Sequence, residues 1–192
     1  MKTLIATAAL AAATLSTPAF ATSDSYVLDA SHSQIVFTYD HLGYSTTYGM
    51  FSGFEGEIAF NQVDPAASSV NVSFPVRSML TGWEARFEHF MSGDFFAAAD
   101  EEMVSFNSTG IEVTGETTAL ITGDLTLNGI TKAVVLDATL NQVGMHPMAE
   151  KPWAGFDATT TILRSDFEVG AFAPFVSDEV AIMISIEAMK AE

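Results

Sequence analysis

The residues equipped to do chemistry are few and widely spaced. Arg164 ends an alternating apolar run, on the parity of Phe156, Ala158 and Ile162, so its permanent charge is directed inward at a strand end. A buried guanidinium needs an anion, because desolvating an unpaired charge costs several kcal/mol. Two roles fit: an internal ion pair with Asp166 or Asp94, or a planar fork of donors for the phosphate or carbonyl head of a bound molecule. Arg86 and His89, one helical turn apart, form a second candidate for the same task. Their alternative is a helix-surface pairing with Glu84 or Glu88.

Enzymatic constellations are missing. His32, His41, His89 and His146 lack the close spacing by which one element delivers two ligands, so no metal site is expected. The sequence has no Gly-x-Ser-x-Gly elbow, no His-Glu-x-x-His and no glycine-rich phosphate loop. Ser31-His32-Ser33 has the letters of a triad without its geometry, and Glu55 and Glu57 lie on the wet face of a strand. With no cysteine, thiol catalysis and the disulfide-stapled class of small secreted domains are both excluded. On the residues alone no enzyme and no cofactor are expected, the alternatives being an enzyme without a recognised motif or a filled fold that acts through its surface.

The elements that must position these side chains are mostly strands. Ile35, Phe37 and Tyr39 alternate with polar residues; so do Tyr48, Met50, Phe54, Ile58 and Phe60, read here as one long strand. Val70, Val72, Phe74 and Val76 make another. Ala119, Ile121, Leu125 and Leu127 run into Asn128-Gly129, a dipeptide suited to a tight hairpin, and Val134, Leu136, Ala138 and Leu140 return. Phe156 to Ile162 and Val180 to Ile186 complete the set. Between Thr81 and Ala99 the period turns helical, with Trp83, Phe87, Phe90 and Met91 on one face and Thr81 as N-cap; Gly144 to Ala154, with two prolines, reads as a long loop. About eight antiparallel strands and one short helix suit a closed barrel, although a two-sheet sandwich shows the same alternation.

Composition and the N-terminus supply the setting. Lys2, the apolar run from Leu4 to Leu15 and Ala19-Phe20-Ala21 have the form of a secretory signal peptide cleaved after Ala21, leaving one domain over 22–192 destined for a bacterial periplasm. The apolar run is too short to span a bilayer. Twenty-four acidic against seven basic residues, a net charge of −17, argue against nucleic acid and anionic lipid surfaces as partners.

From Tyr26 to about Ala188 the sequence resembles the YceI-like family of periplasmic proteins. The resemblance rests on His32-Ser33-Gln34-Ile35-Val36-Phe37 with His41, on Phe51-x-Gly53-Phe54-x-Gly56-x-Ile58, and on Ser78-x-x-Thr81-Gly82 leading to Arg86-x-x-His89. Ser92-Gly93-Asp94-Phe95-Phe96, Gly123-x-Leu125-Thr126-Leu127-x-Gly129-x-Thr131-Lys132, Arg164-Ser165-Asp166-Phe167 and Val176-Ser177-Asp178-x-Val180 follow in order. It implies an all-β, lipocalin-like antiparallel barrel that holds a long-chain isoprenoid or other amphiphilic lipid. Phe37, Tyr39, Phe54, Ile58, Phe60, Phe74, Trp83, Phe87 and Phe90 are then the expected lining, with Arg86, His89 and Arg164 available for a head group. The chain departs from the family pattern at Phe87, Ala97, Glu101, Glu102 and Glu168, near one end of the expected cavity. The sequence leaves a homodimer open. N-terminal sequencing of exported protein is expected to begin at Thr22; recovery of Met1 would remove the signal-peptide reading.

Overall fold

The computed structural model describes residues 22–192, and the leader expected over 1–21 lies outside them. Among the described residues ten strands are formed: β1 (Asp24–Leu28), β2 (Gln34–His41), β3 (Ser45–Phe51), β4 (Glu55–Phe60), β5 (Ser69–Pro75), β6 (Met103–Val113), β7 (Thr118–Leu127), β8 (Ile130–Met145), β9 (Pro152–Leu163) and β10 (Glu179–Lys190). A helix, α1 (Glu84–Met91), lies between β5 and β6. All neighbours pair antiparallel, and the order β1-β4-β5-β6-β7-β8-β9-β10 returns to β1, closing an eight-stranded barrel. No described helix is long and apolar enough to cross a membrane.

Closure is made by β10. One of its edges pairs with β9; the other is divided between β2, along Ala181–Ser185, and β1, along Ala188–Lys190. β1 and β2 are thus two parts of one stave, bent through residues 29–33, while β3 pairs with β2 beyond the ring. β3 is stitched to the segment before α1 by a reciprocal backbone pair between Met50 and Leu80.

The long strand expected through Tyr48 and Phe60 is broken in two. In β3 the inward residues are Thr47 and Phe51, so Tyr48 points to solvent and Met50 does not line the interior. At Gly53, with φ of 70°, the phase reverses, and Phe54, Ile58 and Phe60 face in. β6 has no counterpart in the sequence reading, for a related reason. Val104 and Phe106 face in on even positions, a bulge between Ser108 and Gly110 shifts the register, and Ile111 and Val113 face in on odd ones. A second bulge, between Leu140 and Gln142, brings Val143 inward in β8.

The Asn128-Gly129 hairpin forms as expected, with both residues at positive φ, the twist-matched geometry of a two-residue turn. The long loop expected from Gly144 is shorter. β8 and β9 pair as far as Met145 and Pro152, and residues 146–151 turn around His146, whose Nδ1 accepts from the amides of Met148 and Ala149.

Two glycines keep the interior hollow. The Phe37 ring lies where a Cβ on Gly49 would stand, and the Phe106 ring does the same at Gly123. Each ring is therefore laid on the wall instead of projecting into the lumen. A side chain at Gly49 must displace the ring, so Gly49→Val is expected to cost about 1–3 kcal/mol by overpacking. Gly110→Ala meets open space and should stay within about 0.5 kcal/mol of the parent. Denaturant melts of the two variants check the contrast.

Candidate ligand cavity

The inward faces of the strands enclose a cavity of about 800 Å³. Its wall is almost wholly apolar, built from aromatic residues on β2, β4 and β5 and aliphatic ones on β7 to β10. At one end it meets α1, the β2–β3 hairpin and the 164–178 connection; at the other it reaches Gln62, Ser68 and the β6–β7 turn. Among the described residues, every buried side-chain nitrogen and oxygen has a hydrogen-bond partner. The wall thus offers shape and apolar contact with no orphaned donor waiting for a polar group.

Of the lining set expected from sequence, Phe37, Tyr39, Phe54, Ile58, Phe60, Phe74 and Phe90 all border this space. Trp83 stands at its rim and is 65% exposed. Phe87 does not border it. The helix is phased so that Arg86, His89 and Phe90 face the cavity, while Phe87 turns away and lies under the Arg77 guanidinium, whose Cζ is 5.5 Å from the Phe87 ring centroid. The helix begins at Glu84 with no side-chain cap; the Thr81 hydroxyl instead donates to the Trp83 carbonyl, 2.8 Å.

α1 and the turn after it bring an aromatic cluster to this end. Phe95 packs edge-on against both His89 and Phe90, with ring centroids 5.1 and 5.2 Å apart, and Phe172 from the 164–178 connection completes the group. His89 Nε2 lies 3.1 Å from the Asp94 carboxylate. Arg86 does not pair with Glu84 or Glu88 among the described contacts; its Nη1 donates to the Thr81 carbonyl, 3.0 Å.

Arg164 forms neither expected ion pair. Asp94 is engaged by His89 and Asp166 by Lys132, and the guanidinium, 8% exposed, donates instead to backbone carbonyls. Nε and Nη2 both reach Ser177 O, at 2.9 and 2.7 Å; Nη2 also reaches Val176 O; Nη1 reaches Val169 O and Ala171 O, at 3.0 and 3.1 Å. Five bonds match the five N–H groups of the side chain, so none remains for a head group. Burial draws its pKa below the ordinary value, with Asp178 acting in the opposite direction. Asp178 itself accepts from the Ser165 amide and hydroxyl, tying the two ends of the same connection together. Arg164 borders the cavity as the clamp of a loop that closes it.

Residues 26–188 match the YceI-like domain. The chain belongs to the YceI-like family. It is 36% identical over 190 residues to a UPF0312 protein of Ectopseudomonas mendocina, spanning 99% of both chains, and 38% identical over 162 residues to Protein YceI of Escherichia coli, spanning 84% of both. Among solved structures, Burkholderia cenocepacia BcnA superposes with a TM-score of 0.75 at 25% identity, covering 83% of this chain and 98% of that one. A polyisoprenoid binding domain from Saccharophagus degradans shares the fold at 14% identity, with a TM-score of 0.68 over 86% of this chain and 98% of the other.

One grouping in this YceI-like barrel escaped the search for closely spaced ligands. Asp29, His32 and Glu187 converge on the outer wall, from the bend between β1 and β2 and from β10. Only the Asp29-x-x-His32 spacing could have hinted at it; Glu187 lies 155 positions further along the chain.

Removing the Arg164 donors strands four carbonyls around a loop of the YceI-like barrel. Arg164→Met is therefore expected to destabilise the fold by about 3 kcal/mol or more, since each buried acceptor left unpaired costs about 1–3 kcal/mol. The affinity for an apolar ligand should be nearly unchanged in the folded fraction. Denaturant melts of the empty protein beside a lipid titration check both halves.

Proposed function

We propose that this protein is an exported, periplasmic carrier or sequestering protein for a long-chain apolar lipid of the polyisoprenoid type, held inside the barrel. The observation that carries the reading is the cavity of about 800 Å³ with a continuous apolar wall. A chain entering it sheds water along its length, worth about 0.8 kcal/mol per buried CH₂. Support comes from the polyisoprenoid binding domain that shares the fold, and from the sequence of residues 1–21, which has the form of a secretory leader.

A second reading, an enzyme acting on such a lipid, has one observation in its favour. Arg86 and His89 both border one end of the cavity, and His89 contacts Asp94. Against it, no hydroxyl bonds to the His89 ring among the described residues, so the pair lacks an activated nucleophile. The carrier reading needs no such group.

Mass spectrometry of organic extracts from protein purified out of its native periplasm is expected to find a stoichiometric isoprenoid-like lipid. Ile58, 4% exposed and facing the cavity, offers the structural control. Ile58→Trp should lower the retained lipid while leaving the melting temperature near that of the parent. Unchanged loading counts against a lumen site, and a loss of about 1–3 kcal/mol in stability would indicate a packed interior. The same extraction from His89→Ala separates the readings: a different lipid accumulating in the variant would favour the enzyme.

A further inference from the structure

We propose that Asp29, His32 and Glu187 form a binding site for one divalent transition-metal ion, of the Zn²⁺ type, on the outer wall of the barrel where it closes. One nitrogen or carboxylate oxygen from each of the three residues lies within 4.8 Å of the others. The His32 Nδ1 to Asp29 Oδ2 distance is already 2.7 Å. Ligand atoms around a tetrahedral zinc ion stand about 3.3 Å apart, given bond lengths of about 2.0–2.2 Å. The His32–Asp29 pair must open by about 0.6 Å and Glu187 must close in by no more than about 1.5 Å.

The group able to make that adjustment is distinct from the groups that hold still. Asp29 is fixed by the Ser31 amide and hydroxyl, which both donate to Oδ1, at 2.9 and 2.6 Å, and leave Oδ2 turned toward His32. Glu187 is fixed by the Trp153 indole, which donates to Oε2 at 2.9 Å and uses one of its two oxygens. Such outer donors orient ligating carboxylates in metal sites. The backbone beneath is pinned as well, since the Asp29 amide donates to the Glu187 carbonyl at 2.8 Å. His32, by contrast, has a side chain 65% exposed and is held through Nδ1 alone, by Asp29 and by the Ser31 hydroxyl at 3.1 Å, among the described contacts. An ion taking its Nδ1 displaces the contact with Asp29, and the ring keeps its proton on Nε2. The exposed side leaves remaining coordination positions to water.

The donor set selects the class of ion. One imidazole with two carboxylates suits zinc and its first-row neighbours, whereas calcium and magnesium prefer all-oxygen surroundings. Two carboxylates balance the two positive charges with a neutral imidazole. The site lies outside the lipid cavity and uses none of its lining, so it stands independently of the carrier reading.

The test is a calorimetric titration of Zn²⁺ into the purified protein, repeated with Co²⁺ to read ligand-field absorption. One saturable equivalent is expected above the weak, non-stoichiometric background of 24 acidic side chains. His32→Ala and Glu187→Gln should each weaken that equivalent at least tenfold, while His41→Ala, at the end of β2, leaves it unchanged. Glu187→Gln keeps an oxygen for the Trp153 indole, so it decides the matter even if His32→Ala folds poorly. A melting temperature that rises with zinc in the parent and not in Glu187→Gln supports the site. No saturable equivalent, or one that survives loss of His32 or Glu187, overturns it.

Discussion

Everything in this molecule depends on one edge of β10. A sheet of strands that failed to meet its own end would expose a row of backbone donors and acceptors, and the apolar faces behind it would have no enclosed side. Here the free edge is covered twice over, by β2 along its first half and by β1 along its last residues. The chain bends between those two pieces, and the bend is where side chains take over from the sheet. Asp29 holds His32 and Ser31, Ser33 approaches the backbone at Glu187, and Trp153 reaches across from β9. The concentration of polar contacts there is what a closed barrel requires when its closing strand is broken.

The same economy governs the interior. The one fully charged group that the sequence directs inward is consumed by carbonyls of its own loop, and the aromatic rings are laid against glycines. What remains is a space whose wall discriminates by length and girth. Of the charged groups near it, Arg86 and the His89–Asp94 pair stand at the end where α1 and the 164–178 connection meet, and Glu116 and Asp157 border it away from that end. Among the lining residues the arginines, Arg86 and Arg164, thus stand at one end, and Glu116 lies at the other with Gln62 and Ser68.

Much of this was legible from sequence, and the failures share a cause. Strict alternation exposed the inward faces of β2, β5, β7, β9 and β10, and Asn128-Gly129 located its hairpin. Where a residue is inserted or a glycine reverses the phase, period two no longer runs through the strand. β6 was missed, and Tyr48 and Met50 were placed on the wrong face. The helix was found but rotated, because its aromatic residues were assumed to share one face, whereas Phe87 stacks beneath Arg77. The fate of Arg164 was out of reach for a different reason. An ion pair can be guessed from charged letters, but backbone carbonyls are present at every residue, and only the path of the loop shows which of them converge.

The phase reversal at Gly53 bears on how such a barrel can diversify. Strand β4 faces the right way only because residues 52–54 turn it over between β3 and β5. Elsewhere a bulge absorbs an extra residue and the strand continues, so β6 and β8 can gain or lose length near Ser108 or Leu140 at local cost. Between Phe51 and Phe54 a single insertion or deletion would exchange Ile58 and Phe60 for Glu57 and Ala59 on the inner surface, putting a carboxylate into oil. Over evolutionary time, the short link after β3 should therefore hold its length while the strands on the opposite wall drift, and the reach of the lumen would be set on that drifting side.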